Sequence, residues 1–170
     1  MAHDLPYDGK RPQERSQRYA DLWRDWEALK DPAAGWLANA ANLLALLHQG
    51  LGLWWTGFYV FRESDQTLVL GPFQGPVACT RIAIGRGVCG ASFVQKEPVI
   101  VPDVDAFPGH IACSSLSRSE LVMPLWHGGL VVGVLDLDSQ ELDDFGEADV
   151  KALQPFLDSL QKFWTDLRVG

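Results

Sequence analysis

The stretch from Glu120 to Asp138 constrains this chain most. Two β-rich runs, Glu120 to Trp126 and Leu130 to Asp138, flank the turn His127-Gly128-Gly129. A connection that short permits only an antiparallel hairpin, because a parallel crossover needs a dozen residues or more. Further strand signals come earlier. Leu53 to Phe61 is aromatic and β-branched, Thr67 to Leu70 follows the polar turn Glu63-Ser64-Asp65, and Val77 to Ile84 and Pro98 to Val101 are apolar runs. Gly85-Arg86-Gly87 breaks the third of these, and Val88 to Gln95 reads as a short helix.

Helical periodicity encloses this region on both sides. From Pro12 onward, Tyr19, Leu22, Trp23, Trp26 and Leu29 share one face. Asp31-Pro32 ends that helix and starts another, with Trp36, Leu37, Ala40, Leu43, Leu44 and Leu47 inward. Gly50 or Gly52 is suited to cap it. At the far end Val150, Leu153, Leu157, Leu160, Trp164 and Leu167 form an apolar stripe, and Pro155 should kink or restart the helix. The order predicts an α+β fold, a mostly antiparallel sheet with helices gathered on it, in a single domain over 1–170. Residues 1–11 read as an irregular tail. The aperiodic segment of about 102–119 reads as a long loop, and loops of that length in a compact domain are usually lids or binding loops.

The net charge of −8 and pI near 4.8 argue against a phosphate-backbone partner and against an anionic membrane surface. The first residues carry no basic-then-apolar leader pattern, and no apolar run approaches the ~20 residues of a membrane span. A cytoplasmic location is the expectation. In that reducing compartment three cysteines do not make a structural disulfide framework. They are catalytic, metal-binding or inert.

Strand alternation gathers candidate side chains. In the first strand Trp55 and Tyr59 share a face, with Trp54, Phe58 and Val60 opposite. In the last, Asp136 and Asp138 share a face with Val132 and Val134, while Leu135 and Leu137 pack on the other. Glu120 opens the neighbouring hairpin strand. Like charges on one face raise each other's pKa. An acidic cluster beside two aromatics suits a small ligand bearing an ammonium group. The blander alternatives are core aromatics, carboxylates capping a strand end, and a solvated Glu120. The cysteines are separated by ten and by twenty-four residues, so the close pair expected of a zinc site is missing. His110 with Cys113 would be half of one. Simple burial suits Cys79 best, in its apolar run, and suits Cys89 and Cys113 less.

Trp55-Thr56-Gly57-Phe58-Tyr59, Leu70-Gly71-Pro72-Phe73-Gln74-Gly75, Gly85-Arg86-Gly87-Val88-Cys89-Gly90, Gly109-His110-Ile111-Ala112-Cys113 and Gly133-Val134-Leu135-Asp136-Leu137-Asp138-Ser139 together resemble the free methionine-(R)-sulfoxide reductases, enzymes of GAF fold. The likeness runs over nearly the whole chain. It implies Cys113 as nucleophile, Cys89 as resolving cysteine and Cys79 as a secondary resolving cysteine. It also implies that Trp55 and Tyr59 wall the pocket around the substrate's methyl-sulfur end. Glu120, Asp136 and Asp138 would hold the amino group and hydrogen-bond or protonate the sulfoxide oxygen. No bound cofactor or metal is implied. The implied external reductant is thioredoxin with NADPH, and the implied assembly a homodimer. The rival from another class is a GAF small-molecule sensor or interaction module without catalysis, which would leave the cysteines without a role. A thiol-based peroxide sensor is the third possibility.

Overall fold

The computed structural model describes residues 14–109 and 116–164; the expected tail, His110, Cys113 and Leu167 lie outside the described residues. Helix α1 spans Arg15–Leu29. Asp31, held extended before Pro32, accepts a hydrogen bond from the Ala33 N–H at 2.9 Å, and Pro32–Ala34 forms one 3₁₀ turn. Helix α2 follows over Gly35–Leu51 and ends at Gly52, whose φ of 71° is the left-handed cap that glycine supplies without strain.

The chain then lays down β1 (Trp55–Arg62), β2 (Thr67–Gln74) and β3 (Arg81–Ala83), crosses through α3 (Gly87–Gln95), and returns with β4 (Val99–Val101), β5 (Ser119–His127) and β6 (Leu130–Ser139). The strands join in the order β3-β2-β1-β6-β5-β4, every neighbouring pair antiparallel. The expected hairpin pairs β5 with β6 from Ser119 opposite Ser139 to His127 opposite Leu130. The expected strand over Val77 to Ile84 shrinks to Arg81–Ala83, because Pro76 and the residues after it turn toward the face of β1 instead.

The two sheet faces are covered differently. One face, with Phe58, Val60, Leu121, Met123, Leu125, Leu135 and Leu137, packs under α2 and α4, and α1 lies on those helices. Trp26 is fully buried there and donates its Nε1–H to Ser159 Oγ at 3.0 Å. The other face, with Trp55, Tyr59, Val122 and Val134, is covered by α3 and by loops.

Helix α4 runs Glu147–Leu160 straight through Pro155, then tightens to a 3₁₀ turn at Gln161–Phe163. The expected restart at the proline does not occur. Two placements also depart from simple alternation. Trp54 precedes β1 and packs with the Trp55 cluster rather than opposite it. Val132 packs with the helical core because β6 carries an extra residue there: Leu125 pairs with Gly133 and Trp126 with Val131. An inserted residue inverts the faces on one side of it.

The loop from 140 to 146 is pinned from several sides. Ser119 Oγ donates to the Glu141 carbonyl at 2.7 Å, and the Asp143 N–H donates to the Pro102 carbonyl at 2.9 Å. Asp149 accepts from Arg15 Nε at 2.5 Å, from the Tyr19 hydroxyl at 2.6 Å and from the Gly146 N–H at 2.8 Å. Arg15 also bridges to Asp144 at 2.7 Å. These contacts lock the start of α1 to the start of α4 and hold the ends of β5 and β6 in place.

Gly57 marks the closest packing on the pocket face. A Cβ there would sit 2.2 Å from the far edge of the Trp55 ring. The missing side chain lets that ring lie flat along β1, stacked between Tyr59 at 5.9 Å and Phe73 at 5.6 Å. Gly57→Ala is expected to displace Trp55 and cost about 1–3 kcal/mol, the range for overpacking a filled site. Urea unfolding of the variant beside the parent checks this.

Candidate active site

Antiparallel register, more than any local motif, assembles the pocket. Asp138 lies opposite Trp55 on β1 and opposite Glu120 on β5, and Asp136 lies opposite Gly57 and Val122. Three adjacent strands, β1, β6 and β5, therefore bring an aromatic wall and a carboxyl floor together on the face beneath α3. The pocket encloses about 580 Å³ of empty space, part of it open to solvent. It is lined by Trp55, Tyr59, Cys89, Glu120, Asp136 and Asp138, with Pro76 to Ala78, Ile82, Arg86 to Val88 and Ser117. Of the expected site residues, Trp55, Tyr59, Cys89, Glu120, Asp136 and Asp138 line this pocket.

The polar ends of the aromatic wall reach the same short segment. Trp55 Nε1–H donates to the Pro76 carbonyl at 3.0 Å, and the Tyr59 hydroxyl donates to the Cys79 carbonyl at 3.0 Å. Burial, then the charge of Asp136, pushes the Tyr59 hydroxyl well above the usual phenol range, so it stays a donor.

The carboxyl floor is dry. Glu120 is 6% exposed and Asp136 is 7% exposed. Burial, then the negative charge of Asp138, drives both well above the ordinary carboxylate range, and Glu120 and Asp136 hydrogen-bond each other. Two carboxyl groups can do so only by holding a proton between them. The Cys89 thiol donates to Asp136 Oδ2 at 3.4 Å. Cys89 sits in the first turn of α3, where the helix dipole favours a thiolate. Burial and the facing Asp136 and Glu120 outweigh that and push its pKa well up.

The cysteines divide differently from their sequence settings. Cys89 is a free thiol and buried, at 3% exposed, because α3 presses it onto the sheet. Cys79 is disulfide-bonded, only partly buried, and lies in the segment before β3 rather than in a strand. The expectation that plain burial suits Cys79 best is thus overturned: Cys89 is the buried one. Cys113 lies outside the described residues, so the geometry leaves its expected role where the resemblance put it.

Ser117 was not singled out in the sequence. Its hydroxyl donates to Asp138 Oδ1 in a short contact, which ties the end of the long loop to the carboxyl floor. A lone serine in a Ser/Leu/Arg run gives no local signal. Only the pairing of the Arg118 N–H with the Ser139 carbonyl at 2.8 Å, which extends the β5–β6 ladder, brings it over Asp138.

A raised carboxyl pKa has a consequence for stability. The charged form is penalised in the folded state, so the contribution of this pair to stability is greatest below the unfolded carboxyl range near pH 4 and is lost as pH rises through the raised folded values. Asp136→Asn removes that penalty and should raise Tm at pH 8, by about 2–4 °C for each ~1 kcal/mol gained, with the gain shrinking toward pH 4. Thermal melts across that range check both the sign and the slope.

The GAF domain family model matches residues 40–161. The chain is 48% identical over 143 residues to GAF domain-containing protein A of Dictyostelium discoideum, covering 84% of this chain and 90% of that protein. It is 44% identical over 149 residues to the free methionine-R-sulfoxide reductase of Escherichia coli, covering 87% of this chain and 89% of that one. Among solved structures, the free methionine-R-sulfoxide reductase of Neisseria meningitidis in complex with its substrate superimposes with a TM-score of 0.85 at 44% identity, covering 89% of this chain and 90% of that one. With this match across domain, sequence and length, the chain belongs to the GAF family and, within it, to the free methionine-R-sulfoxide reductases.

Proposed function

We propose that this protein reduces free L-methionine-(R)-sulfoxide to L-methionine with its own cysteines. The observation that carries the reading is the convergence of a stacked Trp55–Tyr59 wall with a floor of buried Glu120 and Asp136 and half-buried Asp138 in one pocket, beside a disulfide-bonded Cys79. The wall suits a thioether and its methyl group, and the floor suits one ammonium. A substrate held by its free amino group fits a site of this kind, whereas the same residue inside a peptide chain has no ammonium to offer.

In the proposed reaction the Cys113 thiolate attacks the sulfoxide sulfur. The oxygen passes to Cys113 as a sulfenic acid, the substrate leaves as the thioether, and a proton from the Glu120–Asp136 pair accompanies the oxygen. A second thiol then displaces water from the sulfenic acid and forms a disulfide. We assign that second thiol to Cys79 ahead of Cys89, the reverse of the order the resemblance suggested. The disulfide-bonded state of Cys79 supports this assignment, as does the burial of Cys89 as a neutral thiol on Asp136. An external dithiol, thioredoxin recharged by NADPH, reopens the disulfide by exchange. Such a protein would work in the cytoplasm, as a defence against oxidative damage, and as a homodimer. Among the described residues no helix is long and apolar enough to cross a membrane.

The test is NADPH consumption with thioredoxin and its reductase on three substrates: the free R-sulfoxide, the free S-sulfoxide, and an R-sulfoxide acetylated at nitrogen. Turnover of the free R form alone is expected. Consumption with none of them would return the sensor reading. Cys113→Ser should abolish turnover, and Cys79→Ser should stop it after one equivalent of methionine. Ser117→Ala should raise KM about tenfold with a smaller change in kcat, the scale of one hydrogen bond to a charged group. Ser117→Thr, which keeps the hydroxyl, should restore it. Steady-state kinetics on the same coupled assay read the Cys113 and Ser117 variants, and methionine formed per enzyme reads Cys79→Ser.

A further inference from the structure

Spacing along the chain offered no close cysteine pair, yet the fold makes a three-residue set. One ligand atom each from Cys89, Glu120 and Asp136 lie within 4.8 Å of one another, all buried. The Cys89 Sγ to Asp136 Oδ2 separation is 3.4 Å. Zinc bonds of about 2.3 Å to sulfur and 2.0 Å to oxygen, at a tetrahedral angle, place those atoms about 3.5 Å apart. One edge of a tetrahedral site is therefore already formed. No other pair among the three has to close by more than about 1.5 Å to reach its tetrahedral separation.

A second feature points to a positive centre at the same place. Asp136 Oδ1 is buried with no hydrogen-bond donor assigned to it. Its acidic neighbour Glu120 can satisfy it only through a proton. The space between these groups thus requires a proton, an ammonium or a metal ion. The donor set separates the metals. A thiolate with two carboxylates suits a borderline-soft ion, whereas magnesium and calcium take oxygen ligands alone. Three protein ligands with the fourth direction open to the pocket is the arrangement of an accessible zinc site, not a closed structural one.

We propose that Cys89, Glu120 and Asp136 form a zinc-binding site that overlaps the amine end of the pocket, so that zinc and the substrate's ammonium exclude one another. The metal site stands on the geometry alone; the overlap rests on the reductase reading. Zinc binding replaces the thiol and carboxyl protons and closes the carboxyl floor to any ligand, which makes this family member reversibly inactive in free zinc.

Cobalt(II) is the probe, since it takes zinc's tetrahedral sites and reports a thiolate ligand through a near-ultraviolet charge-transfer band. It is titrated into the oxidised protein and into Cys79→Ser/Cys113→Ser, whose one remaining cysteine is Cys89. The expected result is a band saturating at one equivalent in both, bleached by zinc, weakened in Glu120→Gln, lost in Cys89→Ser, and removed by free methionine-(R)-sulfoxide. No band in either protein, or a band that survives Cys89→Ser, overturns the metal site. A band that persists in saturating sulfoxide, in protein that turns the sulfoxide over, overturns the overlap. Protein that forms the Cys89-dependent band yet never turns over the sulfoxide upholds the metal site and sinks the reductase reading instead.

Discussion

Glu120 and Asp136 are carried onto a dry sheet face by β5 and β6, where Asp138 adds a third carboxylate at the adjoining register. An ionised carboxylate left alone in such a place costs several kcal/mol. The fold meets this with three devices. Burial and mutual charge favour the protonated forms of Glu120 and Asp136, the Cys89 thiol donates to Asp136, and the Ser117 hydroxyl donates to Asp138. None of these is a fixed cation among the described residues. Protons and hydroxyl or thiol donors of this kind are neutralising partners that a positive ligand could displace.

The opposite face carries the stability that this arrangement lacks. Trp26, Trp36, Phe58, Phe156 and a set of leucines are fully buried in the core formed by that face and α1, α2 and α4. Each such side chain contributes about 1.5–3 kcal/mol by leaving water. The same side holds the lock between Arg15, Tyr19, Asp144 and Asp149. That lock fixes the 140–146 loop, and the loop's contacts to Ser119 and Ser139 hold the two positions that adjoin Glu120 and Asp138. The strained face is thus held rigid by a face that has no part in the chemistry.

Much of this was legible in the chain. The glycine turn at 127–129 forced the hairpin, and period-two alternation placed Trp55 with Tyr59 and Asp136 with Asp138 before any coordinates. What failed to show did so for physical reasons. Val132 changes face at an inserted residue, which leaves no mark in composition. Pro155 is absorbed into α4, although proline favours a break. Cys79 looked like a strand residue because its neighbours are apolar, but those neighbours line a pocket instead of a ladder. Cys89 looked exposed between glycines, yet Gly90 is there for contact: a Cβ would stand 2.8 Å from the Gly85 N. That close approach is what lowers α3 onto the carboxyls. Partners made by register, such as Ser117 with Asp138, are invisible to any local pattern.

The segment from Pro76 to Cys79 links the aromatic wall to the disulfide-bonded cysteine. It has no ladder of its own, so its backbone carbonyls need donors, and Trp55 and Tyr59 supply them. Both rings are rooted in β1, the strand that pairs with β6 and its aspartates. The position of the Cys79 backbone is therefore referenced to the same strand that positions the carboxyl floor. A ligand that presses on the Trp55–Tyr59 wall acts on two hydrogen bonds that hold the disulfide-bearing segment. Tyr59 keeps its proton well above the usual phenol range, because burial and the carboxyl charges both oppose ionisation, so this tether remains a donor at neutral pH.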